Sequence, residues 1–205
     1  MISTTTNYNQ LGIFGRTYGN TSLQEASITL SVISYSFWCV GIIGFQYSVS
    51  QYAQIQSILV SVNFDGSNRY GGAIFGVQQA RNCSIANISI INSSIILYNE
   101  VGGIIGQTYQ VKTTIINSSV TFSNISGFQC VGGFIGSSFI SDISITSSKL
   151  EFVRLTASVY VFIVLGYNED STIILFSSYS NQNYVNNEIL PPCLNLTNTA
   201  SETGC

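Results

Sequence analysis

The sequence predicts an all-β chain, a right-handed parallel β-helix or solenoid of about six repeats of ~30 residues each. Three observations predict it. A glycine-bounded apolar segment, Val101-Gly102-Gly103-Ile104-Ile105-Gly106, returns as Val131-Gly132-Gly133-Phe134-Ile135-Gly136, with looser copies on either side. The composition favours strand, because 28 Ile and 15 Val stand against 12 Leu, and β-branched side chains fit a pleated surface. Between the glycine segments, apolar residues fall into columns one repeat apart, as they do when each coil buries its inner face against the next.

Taken in order, a polar leader from Ser3 to Gln10 precedes the first copy, Leu11-Gly12-Ile13-Phe14-Gly15. The next copies are Val40-Gly41-Ile42-Ile43-Gly44 and Tyr70-Gly71-Gly72-Ala73-Ile74-Phe75-Gly76, and a worn sixth copy is Val161-Phe162-Ile163-Val164-Leu165-Gly166. The closing glycines Gly15, Gly44, Gly76, Gly106, Gly136 and Gly166 are therefore spaced 29, 32, 30, 30 and 30 residues apart. Apolar pairs such as Ile104-Ile105 are expected to form a short strand. Gly102, Gly103 and Gly106 are expected to turn the chain at positive φ and to let coils approach closely. Ile85, Ile115 and Ile145 share one column, and Ile90, Val120 and Leu150 another. Val120 with Phe122, and Leu150 with Phe152, alternate at period two as a half-buried strand does. Each repeat then holds two or three strands, and six coils about 4.8 Å apart make a rod roughly 29 Å long. The solenoid is assigned to residues 1–190. Pro191-Pro192, the only prolines, cannot donate to a central ladder, so 191–205 is expected to be a tail or linker.

Two other repeat folds fit less well. A leucine-rich strand matches Ile85 to Ile90 but places Ser118 where an apolar residue belongs, and no helix pattern follows. A propeller blade needs about 40 residues or more.

Charge excludes one class of partner. Only 7% of residues are charged and the net charge is −3, too little positive charge to follow a phosphate backbone, so nucleic acid is not expected. Met1 to Thr6 carries neither the basic nor the apolar region of a secretory leader. No apolar run reaches the roughly 20 residues of a spanning helix, and the hydroxyl and amide alternates do not suit a lipid-facing barrel. With the repeat already under way at Leu11, the chain is expected to be part of a longer one.

The candidate chemistry is sparse. The glycine segments lack the following helix and lysine of a phosphate cradle. The acids Glu25, Asp65, Glu100, Asp142, Glu151, Glu169, Asp170, Glu188 and Glu202 scatter over different columns, and there is no His, so a Ser-His-Asp or Cys-His arrangement within this chain is excluded. No catalytic residue, cofactor or metal site is expected, and the chain is not read as an enzyme. Cys39 and Cys130 share a column three repeats apart, about 14 Å at 4.8 Å per coil, beyond the reach of a disulfide. With Cys83 they read as small buried hydrophobes. Cys193 and Cys205 are a candidate disulfide, with each other or with a cysteine-rich extension. Asn20, Asn82, Asn87, Asn92, Asn117, Asn124 and Asn195 open N-glycosylation sequons, and Asn ladders between coils compete with glycan for those positions. Tyr179 and Tyr184 are expected to cap the last coil, with an exposed aromatic pair for sugar or protein binding as the lesser reading.

The Gly-Gly-apolar-apolar-Gly segment followed by an Ile/Ser/Asn-rich strand resembles the GLUG-motif repeats of large surface and secreted proteins, including adhesins. The resemblance spans about residues 11 to 180; the second copy keeps one glycine of the pair, the sixth keeps none, and Ile or Phe stands for the usual Leu. It implies a non-catalytic structural or interaction segment of an extracellular or cell-surface protein, with a protein or carbohydrate ligand. The alternative expectation is a non-catalytic part of a carbohydrate-active β-helix enzyme.

Overall fold

The computed structural model describes residues 10–34, 39–176, 178–181, 183–186, 188–189, 193–194 and 198–199, and no helix occurs among them. The rungs Gln10–Leu11, Cys39–Val40, Tyr70–Gly72, Glu100–Gly102, Cys130–Gly132 and Tyr160–Phe162 pair in parallel in one sheet. Five complete turns therefore separate the first rung from the sixth. The rest of each turn joins a second sheet, also parallel from coil to coil, with the register stepping by 30 residues as in Ile85↔Ile115↔Ile145↔Leu175. The chain is an all-β solenoid of stacked coils.

The coil of residues 100–129 shows how the sequence makes a turn. After Glu100–Gly102 come Ile105–Tyr109, Lys112–Ile116, Ser119–Thr121 and Asn124–Ser126. Five short strands replace the expected two or three, because a single left-handed residue suffices for a corner. Gln110, Asn117 and Phe122 have φ of 53°, 48° and 48°. Asn tolerates this region, whereas a β-branched or aromatic residue there is strained. Even so, Ile140 (φ 48°) and Phe152 (φ 54°) occupy the same corners one coil on. Phe122 and Phe152 are consequently exposed corner residues, not the inward strand positions that the period-two pattern predicts.

The glycines act through space. Gly102, Gly103 and Gly106 do not have positive φ; Gly19, at 92°, is the described glycine in the left-handed region. A Cβ on Gly102 would lie 2.0 Å from the Ile105 carbonyl oxygen, on Gly103 2.2 Å from that of Gly133, and on Gly106 2.5 Å from the Gly71 nitrogen. Close approach is thus the part of the expectation that holds. Ile104 and Ile105 are both buried, but the strand begins only at Ile105.

The interior is filled by columns such as Val60, Ile90, Val120 and Leu150, and Phe64, Ile95, Ile125 and Leu155. At six of the left-handed corners, Asn92, Asn117, Phe122, Ile140, Ser147 and Asp170, the next residue is a serine that turns its hydroxyl inward. Ser118 Oγ donates to the Ile116 carbonyl at 2.9 Å and accepts the Ile88 N–H of the preceding coil at 3.3 Å, while the Ser118 N–H reaches Ser148 Oγ at 3.1 Å. Ser148 is bonded to Ser178 in the same way, Ser93 to Ser123, and Ser141 to Ser171. These buried serines close the hydrogen bonds that a corner otherwise leaves open.

The two ends differ. Thr21–Ser34 is the outermost strand on the amino side. Its Leu23, Ala26, Ile28, Leu30 and Val32 are only half-buried, while their partners Ile55, Ile58, Val60, Val62 and Phe64 are fully buried. On the carboxyl side the chain reverses. Glu188–Ile189, Cys193–Leu194 and Asn198–Thr199 pair antiparallel with Tyr184–Val185, Tyr179–Ser180 and Ile174–Leu175 of the last coil. The described pairs of the tail assigned to 191–205 therefore lie on the solenoid.

Candidate functional site

Outside the glycine corner, two columns of side chains meet along the rod. One runs Cys39, Tyr70, Glu100, Cys130, Tyr160. The other runs Arg16, Phe45, Val77, Gln107, Ser137, Tyr167. They come together because the closing glycines present no side chain; a Cβ on Gly136 or Gly166 would lie 2.5 or 2.6 Å from the backbone nitrogen of Val101 or Val131. At one end Cys39, Phe45, Tyr70 and Val77 pack as an apolar cluster separate from the interior, and the Arg16 guanidinium lies 5.1 Å from the Phe45 ring. At the other, Tyr160 and Tyr167 approach to 5.5 Å.

Glu100 is the buried acid of this seam, 8% exposed. Its carboxylate accepts hydrogen bonds from Gln107 Nε2 at 2.8 Å and from Ser137 Oγ. Burial holds its pKa above the ordinary carboxylate value, opposed by those two hydrogen bonds and by the Arg69 charge. Burial, and then the Glu100 charge, raise the Tyr70 phenol. Burial pushes the Cys39 and Cys130 thiols up to about 12, so both are inert. No second carboxylate faces Glu100 within the two columns, and among the described residues no group of three or more His, Cys, Asp and Glu could hold a metal ion. The arrangement positions one carboxylate as a hydrogen-bond hub joining its own coil to the next; it contains no acid–base pair.

A second surface feature is aromatic. Tyr98 and Phe128 stack at 5.5 Å and 5°, and Phe122 and Phe152 at 4.8 Å and 4°, each pair one coil apart. All four rings are exposed. Their separation along the rod matches the coil spacing, so the rings use their faces on each other and present edges outward. These are two stacked pairs among a larger number of exposed aromatics. Tyr184 is half-buried beneath the Arg154 guanidinium at 5.8 Å, and the Tyr179 side chain lies outside the described residues.

The other expected positions fall as follows. Gly44, Gly76, Gly106, Gly136 and Gly166 are buried and Gly15 is half-buried. Asn20, Asn82, Asn87, Asn92 and Asn117 are exposed, Asn124 is half-buried, and Asn195 lies outside the described residues. Asn87, Asn92 and Asn117 occupy left-handed corners, with their side chains turned to solvent. Cys39, Cys83 and Cys130 are free and buried; Cys205, and with it any pairing to Cys193, lies outside the described residues. Sequence reasoning missed the inward serines, although Ser118, Ser148 and Ser178 recur at the repeat spacing and gave the signal. It also missed Glu100, for which the only sign was an acid in the column of Cys39 and Cys130. Compared with family models, with curated proteins and with solved structures, the chain matches none.

Proposed function

We propose that this solenoid is a non-catalytic structural or interaction segment of a surface or secreted repeat protein, of the adhesin-like kind. The observation that carries the reading is the pair of outward aromatic columns, Tyr98 with Phe128 and Phe122 with Phe152, each stacked in register one coil apart. Aromatic side chains fixed in place lose little entropy on contact and anchor interfaces. The resemblance to GLUG-motif repeats and the five exposed sequon asparagines support an extracellular setting. The partner class is protein or carbohydrate.

The test is binding of the whole chain to immobilised glycans and extracellular-matrix proteins, with and without Tyr98→Ser, Phe122→Ser and Phe128→Ser together. Binding that the triple variant loses while its circular dichroism stays β supports the reading. Release of oligosaccharide products from a polysaccharide would overturn it in favour of an enzyme.

A further inference from the structure

We propose that the amino-terminal face is a self-complementary interface, and that two copies of this chain join there head to head through Thr21–Ser34.

The two faces of a coil make different demands on their glycines. The pair at Gly132-Gly133 must be clear on the carboxyl side: a Cβ on Gly132 would lie 2.6 Å from the Gly166 nitrogen, and one on Gly133 2.1 Å from the Ile163 carbonyl oxygen, both in the following coil. The sixth copy carries Phe162 and Ile163 at those two positions. No further coil can seat on that side by the contacts used inside the rod. Three of the other four strands of that face, Thr172–Phe176, Tyr179–Asn181 and Tyr184–Val185, are occupied by the antiparallel returning strands, and Leu165–Glu169 is not. Head-to-tail association is therefore blocked by side chains at one corner and by returned backbone over three of the four other strands.

Among the described residues the amino face has neither block. The closing glycine of a coil is cleared on its amino side; a Cβ on Gly136 would meet the Gly106 carbonyl oxygen at 2.5 Å, and one on Gly76 that of Gly44 at the same distance. Gly15 keeps this clearance in the first coil. Thr21–Ser34 is a 14-residue strand paired on one edge only among the described residues, so alternate backbone N–H and C=O groups point away from the rod. Its inward side chains pack on the interior cluster yet remain half-exposed. The same coil face is covered at every later step along the rod.

A second copy can supply that mate only by presenting its own amino face, which makes the contact two-fold and the strands antiparallel. The register follows from the side chains. Ala26, Ile28, Leu30 and Val32 face inward, and a two-fold axis at Thr29 sets Ala26 opposite Val32 and Ile28 opposite Leu30. It is the one axis that pairs all four among themselves. Thr29 then meets its own copy on the outer face, where it is exposed.

The experiment is the mass of the full chain by light scattering and sedimentation over a concentration series, together with two substitutions at the exposed Thr29. The expected mass rises to twice 22.2 kDa. Thr29→Lys places like charges directly opposite across the axis and weakens the dimer at least tenfold without altering the β spectrum. Thr29→Cys cross-links under mild oxidation, whereas a cysteine at Thr172→Cys, exposed in the last coil, does not. A monomer at every concentration, a dimer indifferent to Thr29→Lys, or cross-linking at 172 instead of 29 would each overturn the proposal.

Discussion

Replacing Ser118 by Ala isolates what an inward serine contributes. Ser118 is 1% exposed, as is Ile88, whose N–H ends on Ser118 Oγ at 3.3 Å. Alanine leaves that donor inside the rod with a methyl group in front of it, and it removes one bond from the Ile116 carbonyl. The volume change is too small to admit water. A stranded buried donor costs about 1–3 kcal/mol, which corresponds to a roughly 5- to 150-fold change in an equilibrium constant. Stacked repeats need not unfold as one unit, so the local readout is amide hydrogen exchange at Ile88, accompanied by the urea midpoint. Exchange at Ile88 should accelerate within that range. Ser119→Ala is the control: its half-buried hydroxyl meets only Ser89 Oγ, at 3.4 Å, and the change should stay below about 0.5 kcal/mol. Unchanged exchange at Ile88, or an equal loss in Ser119→Ala, would refute the role given to the inward serines.

Three further outcomes are expected. Gly132→Ala, whose Cβ would lie 1.9 Å from the Ile135 carbonyl oxygen, should destabilise by about 3 kcal/mol, the upper end of ordinary overpacking; a urea midpoint within error of the parent would contradict the tight corner. Ile140→Asn should stabilise by about 1 kcal/mol, because an exposed β-branched residue at φ 48° gives way to one that tolerates the left-handed region; a lowered midpoint would count against backbone strain there. Glu100→Gln should change the pH dependence. The folded-state pKa of Glu100 is raised, mainly by burial, so its contribution is most favourable below the unfolded value and is lost as pH rises through the folded one. Denaturation midpoints across pH should show the variant gaining on the parent as pH rises through and above the carboxylate range, and a gain confined to acid would reverse the assignment.

The coil was legible in the sequence because its constraints repeat. The columns Ile85–Ile115–Ile145 and Ile90–Val120–Leu150 must be apolar in every turn, and the glycine corner must be bare wherever backbone meets backbone. The corners were less legible. Left-handed positions hold Gln110, Ile140 and Asp170 in one column and Asn92, Phe122 and Phe152 in another, so no residue type marks them; a serine follows four of these six, but Val111 and Val153 follow the other two. Phe122 was misplaced for the same reason, since the extra corner residue shifts the period-two count and turns it outward. The third copy shows a related slip. Gly71 and Gly72 pair with Val101 and Gly102, so its two glycines sit one place earlier than those of the fourth, and Leu97 fills the space where a side chain at Gly71 would stand. The Glu100 seam needed coordinates, because Gln107 and Ser137 reach that carboxylate from two different coils.

The serine relay also bears on how the rod responds to being pulled. Each inward hydroxyl answers to a carbonyl in its own coil and to an amide in the one before, so coils are tied to their neighbours one step at a time. Tension between the chain ends would load those ties in sequence, peeling coils from an end. Each released coil of 30 residues would change from a single 4.8 Å step along the rod to about 100 Å of extended chain. A segment only a few coils thick thus stores several hundred ångströms of reach, paid out in equal increments.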